Sequence, residues 1–319
     1  MKKNIIILGI LFLISLFLPF TMNNFILRFA TDILIFSIMA SAWNIIGGYT
    51  GYASFGNVVF FGIGAYITAL LMNLLNMNFF LALLLSGIGG SIFGFLIGLP
   101  ILRLTGHYFA IATLGVAEAI KALVQNLDIT EGNSGMYLPM INLSVDASYK
   151  FFYFIALFVL IILLIVTFLI LKSKLGYGFI AIREDEDAAN SLGINTTLFK
   201  CTSFAISGFF TSLAGSIYAY QQGFIKPEPV FNVLITVKMI VMAVFGGIGS
   251  LFGPLIGAAS IEIISEFLSN YFLVAHTLFF GTIVIVAILF FPKGIADIFS
   301  FRKKIGIAYF LENIRQHRI

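Results

Sequence analysis

The sequence predicts an all-α fold, a polytopic bundle of transmembrane helices with about ten membrane segments. Of its 319 residues, 60% are hydrophobic and only 10% are charged, and the mean hydropathy is +1.07. That is too little charge to cover the surface of a soluble domain of this length. Apolar runs of roughly 20 residues, long enough to cross the hydrocarbon of a bilayer, recur along the whole chain. A transmembrane β-barrel would instead show short segments of alternating polarity.

The predicted membrane segments follow one another from the N-terminus. The first, residues 5–20, resembles a signal sequence, but no small-residue cleavage site follows it, so we expect an uncleaved helix. The sixth, Phe151–Leu171, is the plainest because no charge lies between Lys150 and Lys172. The other segments are expected at residues 29–46, 53–75, 79–102, 106–124, 201–222, 232–247, 249–268 and 271–291. We assign residues 1–300 to the membrane domain and residues 301–319 to a cytoplasmic C-terminal tail.

Positive charge predicts the orientation of these segments. Four basic residues lie in residues 172–200, after the sixth segment, and six more follow the tenth. Cytoplasmic loops are enriched in Lys and Arg, so both regions and both termini are expected in the cytoplasm. The connection at residues 125–150 is polar and mostly acidic, as expected of an outer loop. The chain is therefore predicted to be a multi-pass protein of the plasma membrane.

Small residues form regular stripes on several predicted helices. Ser86, Gly90, Gly94 and Gly98 recur every four residues and so share one helical face. Such faces allow close approach of helix backbones, and we favour static packing over a moving seam. Two glycine-rich segments, residues 47–66 and 245–258, lie in the two halves of the chain, each between hydrophobic helices. Transporters are often built from repeated halves with interrupted helices, so an internal repeat is an open alternative.

Residues that could carry chemistry are few. The single cysteine, Cys201, excludes an internal disulfide and a cysteine-based metal site, and no nucleotide-binding or hydrolase motif is present. We therefore expect no catalytic residue, no metal and no cofactor in this chain. Glu118, Glu262 and Glu266 lie within predicted spans and could serve a proton-coupled carrier. Because they lie towards the outer ends, a structural role is favoured. The net charge of +4 reflects cytoplasmic Lys and Arg, not nucleic-acid binding.

The stretch IREDEDAANSLGI is unusually acidic for this chain. Its pattern predicts a helix of about two turns with an acidic first turn, a small apolar face and a glycine stop. The residues concerned are Asp185 as N-cap, Glu186 and Asp187 in the first turn, Ala188, Ala189 and Leu192 on the apolar face, and Gly193 as the stop. A helix this short is unstable alone in water and needs a docking partner. A solvated helix without function is the alternative.

These residues also carry a resemblance. Asp187-Ala188-Ala189 followed by Gly193-Ile194 resembles the EAA loop of ABC-importer permeases, with Asp where Glu is usual. Four blocks together resemble the branched-chain amino-acid permeases of the LivM type, at residues 47–71, 102–120, 176–200 and 238–258. The resemblance implies that residues 172–200 form a cytoplasmic coupling loop. Its short helix would sit in a cleft of an ATPase subunit.

The resemblance implies a multi-subunit importer in the lipid bilayer. Its other parts would be a second homologous permease, two cytoplasmic ATPases that bind ATP and Mg, and an extracytoplasmic binding protein. The implied substrates are leucine, isoleucine and valine, with urea and short amides as the alternative within the subfamily. A proton-coupled carrier and a passive channel are the rivals outside it.

The same resemblance places the translocation path near the first glycine-rich segment. The path residues it implies are Ser54, Phe55, Asn57, Phe60 and Phe61. Phe55-Gly56-Asn57 departs from the Leu-Gly-His that is common in the family. Because Asn57 stands where the family commonly has His, a polar role of the family's histidine is not carried over to this position.

Overall fold

The computed structural model describes residues 15–141, 143–271 and 281. The longer helices of this part are α1 (Asn24–Asn44), α2 (Val58–Leu74), α3 (Phe79–Ile101), α4 (Gly106–Asn126), α5 (Val145–Leu171), α8 (Thr196–Gln222), α10 (Val233–Gly247) and α11 (Gly253–Tyr271). The shorter elements are β1 (Met136–Tyr137), α6 (Lys174–Glu184), α7 (Glu186–Ser191), β2 (Phe224–Ile225) and α9 (Pro227–Val230). The fold is helical, as the composition predicts.

Eight of the ten predicted membrane segments correspond to described helices. Five helical segments of the described part are long and apolar enough to cross a membrane, namely 24–49, 79–101, 106–126, 145–171 and 227–247. Helix α2 is apolar but has only 17 residues. Most of the predicted segment 5–20, nearly all of 271–291 and the tail 301–319 lie outside the described residues.

Side-chain caps fix where several helices begin. Asn78 Oδ1 accepts a hydrogen bond from Leu81 N at 2.9 Å, and Asn195 Oδ1 accepts one from Leu198 N at 3.0 Å. Asn23 and Ser144 cap α1 and α5 in the same way. These caps supply acceptors to backbone amides that have no partner inside the helix. They extend α1, α5 and α8 by five or six residues beyond the apolar runs that predicted them.

The two ends of the bundle differ in character. Helices α6 and α7 lie at one end, the α7 end, beside the C-terminal ends of α1 and α3 and the first turn of α8. At the opposite end, β1 pairs antiparallel with β2, with Met136 opposite Ile225. This pairing ties the predicted outer loop, residues 125–150, to the C-terminal end of α8. Residues 172–200 and 125–150 therefore lie at opposite ends of the bundle.

Close backbone contacts hold α8 against α2 and α3. A Cβ atom added to Gly64 of α2 would overlap Ser212 O of α8. Gly208 of α8 faces Gly90 O of α3, at 2.7 Å from where its Cβ would stand. Ser86, Gly90, Gly94 and Gly98 are all buried or partly enclosed in this packing. The stripe of small residues on α3 is thus a packing face against α8.

The chain between α1 and α2 is not helical as far as predicted. A π-helical turn at Ile45–Tyr49 extends α1, and residues 50–57, which we call the first break, have no regular structure before α2 begins at Val58. The prediction that a span begins at residue 53 is therefore wrong. Gly51 has φ +83°, which α-helical residues do not adopt. The second break, residues 248–252, separates α10 from α11 in a similar way and contains Gly249 at φ +72°.

Replacing Gly64 with valine is expected to destabilise the bundle, because the new side chain meets backbone of α8 that cannot turn aside. Overpacking of this kind costs about 1–3 kcal/mol. Gly115→Val on α4 is the matched control, since no described atom lies within 4 Å of its Cβ position. Thermal unfolding of both variants in detergent measures the difference. Equal melting temperatures for the two variants would contradict the packing of α2 on α8.

Candidate coupling site

Helix α7 is a short capped helix within the acidic stretch. Asp185 lies outside the helical region at φ −161°, and its Oδ1 accepts a hydrogen bond from Ala188 N at 2.9 Å. At the other end, Gly193 has φ +84°, and Ile194 N donates to Ala189 O at 3.1 Å. A left-handed glycine with this returning hydrogen bond is the usual end of a helix. The predicted N-cap and glycine stop are confirmed.

The expected apolar face of α7 is divided between two environments. Ala189 is 3% exposed and belongs to the core cluster that contains Tyr52 and Phe109. Ala188 is exposed, and Leu192 is 82% exposed. Adjacent residues of a helix point about 100° apart, so the two alanines do not share one side. The prediction of a single free face is wrong, and Leu192 is the large apolar group that α7 presents outward.

Glu186 connects α7 to the core of the bundle. Its Oε1 accepts a hydrogen bond from Lys200 Nζ at 2.5 Å, and its Oε2 accepts one from the hydroxyl of Tyr52. Lys200 is 3% exposed and also donates to Leu102 O at 2.7 Å. The ammonium lies 4.7 Å from the ring centroid of Tyr52. Sequence analysis placed Glu186 in the first turn of α7 but did not find these partners.

The ion pair holds Glu186 in its charged form. Partial burial alone would raise the pKa of Glu186, but hydrogen bonds from Lys200 and Tyr52 outweigh burial and hold the pKa below its usual value of 4.5. Removing one partner of a buried pair leaves the other charge unpaired. Removing one partner is expected to lower the free energy of unfolding by about 3 kcal/mol. This is the lower end of the range for buried pairs, because Glu186 is partly exposed.

Arg183, at the end of α6, contacts the first break and lies beside the second. Its Nη1 donates to Gly48 O at 3.1 Å, while a Cβ atom on Gly51 would lie 2.9 Å from its Cγ. A Cβ atom on Gly249 would lie 2.9 Å from the same Nη1. Asn44, the last residue of α1, bonds to the second break, since its Oδ1 accepts from Gly249 N at 2.9 Å. The two glycine-rich segments, nearly 200 residues apart in sequence, therefore meet at this arginine.

The residues suggested for the translocation path lie inside the bundle, within the first break and the first turn of α2. Asn57 is buried, and its Nδ2 donates to Ser207 Oγ of α8 at 2.8 Å. Ser54 is also buried and accepts a hydrogen bond from Trp43 Nε1 through its carbonyl at 2.8 Å. The remaining three are aromatic: Phe55, Phe60 and Phe61. Phe60 and Phe61 are buried in packing, and Phe55 is half-buried, with its backbone N bonded to Thr113 Oγ1.

Two of the acidic residues predicted within spans are paired with lysines. Glu262 is buried, and its Oε1 lies 2.6 Å from Lys238 Nζ of α10. Glu118 forms an ion pair of 3.4 Å with Lys121, one turn further along α4. Glu266 is half-buried one turn beyond Glu262. The Glu262–Lys238 pair joins α11 to α10, and the Glu118–Lys121 pair lies within α4. Both pairs agree with a structural role for these acids.

Sequence reasoning missed Lys200, Tyr52 and Lys238. The sequence predicts for Lys200 only that it is a basic residue of a cytoplasmic loop. Its spacing carried a signal, because it extends the small polar stripe of Ser203 and Ser207 by one helical turn. A lysine on the buried face of a helix needs a partner, but spacing cannot name Glu186 as that partner.

Comparison with known proteins identifies the family. The family model described as "Branched-chain amino acid transport system / permease component" matches residues 25–290, which contain α7 and both breaks. The chain belongs to this family. The permease is therefore a transport subunit and not an enzyme.

Individual relatives agree with this assignment. The permease is 31% identical to the high-affinity branched-chain amino acid transport system permease protein LivM of Salmonella typhimurium, over 92% of this chain and 75% of the relative. It is 31% identical to LivM of Escherichia coli, over 89% and 74%. It is also 27% identical to a probable LivH permease of Methanocaldococcus jannaschii, over 74% and 80%. No solved structure matches the chain.

Replacing Glu186 with glutamine is expected to lower the melting temperature of the permease at neutral pH, because Lys200 loses its charged partner. The folded-state pKa of Glu186 lies below 4.5. Its contribution to stability is therefore present above that usual value and is lost as the pH falls through the folded-state pKa. Melting temperatures from pH 7 down to about pH 3 test this.

The difference in melting temperature between the unmodified permease and Glu186→Gln should disappear at the lowest pH. Asp187→Asn, which changes an exposed carboxylate of the same helix, is the control and should leave little gap at any pH. A gap of constant size for Glu186→Gln would show that the charge of Glu186 contributes nothing.

Proposed function

We propose that the permease is the membrane subunit of an ATP-driven ABC importer for branched-chain amino acids. The observation that supports this most is α7, a capped helix anchored by a buried ion pair while Leu192 remains outward and uncovered. A helix of six residues has little stability of its own, so its anchoring maintains one shape for a partner. The family and the LivM relatives supply the class of transport system.

In this proposal, α7 is the coupling helix of the loop 172–200 and docks in a cleft of an ATPase subunit. The partners are a second homologous permease, two ATPases that bind ATP and Mg, and an extracytoplasmic binding protein. The proposed orientation puts the α7 end and both termini in the cytoplasm of a ten-span chain. Residues 125–150 then face the binding protein. The two helix–break–helix units, α1–α2 and α10–α11, support an internal repeat.

Transport would follow alternating access, in which ATP binding closes the ATPases and moves α7. The free energy available for the change is the difference in docking energy between two states of the assembly. We place the path along the first break and the first turn of α2, at Ser54, Phe55, Asn57, Phe60 and Phe61. Irregular backbone at membrane depth is tolerated where it is buried in protein or lines a cavity. Broken helices surround the substrate in many transporters, which supports this placement.

The ion pairs argue against a proton-coupled carrier. A carboxylate that exchanges protons must lose its charge during each cycle. Glu262 lies 2.6 Å from Lys238, and neutralising it would leave that ammonium without its partner inside the bundle. Glu118 is exposed and forms a longer pair of 3.4 Å with Lys121 at the surface of α4. These pairs suit structural roles, so the energy for uptake is assigned to the ATPase partners.

Replacing Leu192 with arginine should leave the permease folded, because the side chain is outward, but should weaken ATPase docking. A loss of about 1.4 kcal/mol of docking energy lowers the affinity tenfold. Co-purification of the ATPases and uptake in proteoliposomes measure this loss. Leu75→Arg, at an exposed leucine of the opposite end and outside residues 125–150, is the matched control. Ala189→Arg is less informative, since Ala189 is buried in its own chain.

Normal uptake by the Leu192 variant would refute docking through α7. Gly193→Val provides a second variant at the same helix. No described atom lies within 4 Å of its Cβ position, but its left-handed backbone disfavours a β-branched residue. It should therefore distort the end of α7 without a clash elsewhere in the described chain.

Uptake of labelled leucine by the reconstituted importer should require ATP and persist when a protonophore collapses the proton gradient. The double variant Lys238→Met with Glu262→Gln should retain ATP-driven uptake, because both charges are removed together. Uptake that stops with the protonophore would favour a secondary carrier, and uptake without accumulation a passive channel. Competition by unlabelled leucine and by urea separates the two substrate classes of the subfamily.

A further inference from the structure

Two basic side chains join the α6–α7 segment to the helices of the bundle. The first, Lys200, uses all three donors of its ammonium inside the protein. It donates to Glu186 Oε1 at 2.5 Å, to Leu102 O at 2.7 Å and to the Tyr52 hydroxyl at 3.1 Å. Since Lys200 is buried, Glu186 cannot move away without leaving a charge unpaired in the core. Any displacement of α7 therefore also displaces Lys200 and the N-terminal end of α8.

Helix α8 can pass this displacement on. It packs along its length on α2 and α3 through backbone contacts, such as Gly64 against Ser212 and Gly90 against Gly208. Close-packed interfaces of this kind transmit strain and do not deform freely. A force applied at Lys200 therefore reaches the first break through α2, which begins where that break ends.

The second link, Arg183, acts on both breaks. Its guanidinium donates to Gly48 O next to the first break and lies against Gly249 in the second. Asn44 holds the C-terminal end of α1 to the second break, because its Oδ1 accepts from Gly249 N and its Nδ2 donates to Ser250 O. Displacement of Arg183 therefore acts on the two glycine-rich segments together.

We propose that Lys200 and Arg183 are positioning residues for transport, which deliver the movement of α7 to both breaks at once. The proposal rests on the function of α7 as the ATPase-docking helix. Neither residue is required to touch ATP or the transported amino acid. Lys200 links α7 to α8, and Arg183 links α6 to the first and second breaks. Loss of either link should uncouple ATP hydrolysis from uptake while the ATPases still bind.

The test uses the complete importer in proteoliposomes and measures ATP hydrolysed per leucine taken up. Lys200→Met and Arg183→Gln should each raise this ratio at least tenfold, with the ATPases still co-purifying. Lys174→Met and Arg103→Gln are matched controls, since both residues are exposed at the same end of the bundle. The controls should keep the ratio of the unmodified importer.

Melting temperatures of the same variants separate a positioning role from a merely structural one. Arg183 is partly exposed, and exposed ion pairs such as Arg183–Glu184 contribute little to stability. Arg183→Gln should therefore uncouple transport with an unchanged melting temperature. If Lys200→Met fails to fold, the result for Arg183→Gln alone tests the proposal. An unchanged ratio in Arg183→Gln, with the unmodified importer active, would overturn this proposal alone. An unmodified importer that takes up leucine without ATP would overturn the proposed function as well.

Discussion

Backbone groups within a bilayer must find partners inside the protein, and the structure of this permease depends on that constraint. Two of the places where the described chain leaves helical geometry are residues 50–57 and 248–252, where hydrogen bonds within a helix are lost. Side chains of other helices replace them. Trp43 donates to the first break, Thr113 accepts from it, and Asn44 bonds to the second. The breaks therefore fix how the helices around them are arranged.

The same constraint explains how α7 is held. Six residues cannot form a stable helix alone, so α7 depends on its cap at Asp185 and on the ion pair of Glu186. Lys200 in turn satisfies Leu102 O just beyond the end of α3, a carbonyl that would otherwise lack a partner. One buried ammonium thus anchors α7 and completes the end of a membrane helix. Leu192, on the other side of α7, is free to meet another protein.

The distribution of charge is consistent with an energy source outside this chain. Glu118 and Glu262, two acids of the described helices, are paired with lysines, and the α6–α7 segment contacts both breaks through Arg183. A subunit built in this way can receive a movement at one end and pass it to the irregular segments between its helices. Membership of a permease family of transport systems fits the proposed importer, in which other subunits would supply the energy and bind the substrate.

The sequence by itself determined the helical class, the approximate positions of eight described helices and the limits of α7. These features depend on local composition, 3.6-residue periodicity and capping residues, so span boundaries differ by six residues at most, where α5 begins at Val145 and not at Phe151. Only the tertiary structure decided that Glu186 pairs with Lys200, that Ala189 is buried and that Arg183 lies at both breaks. Those contacts join segments distant in sequence, and their partners are set by how helices pack and not by local patterns.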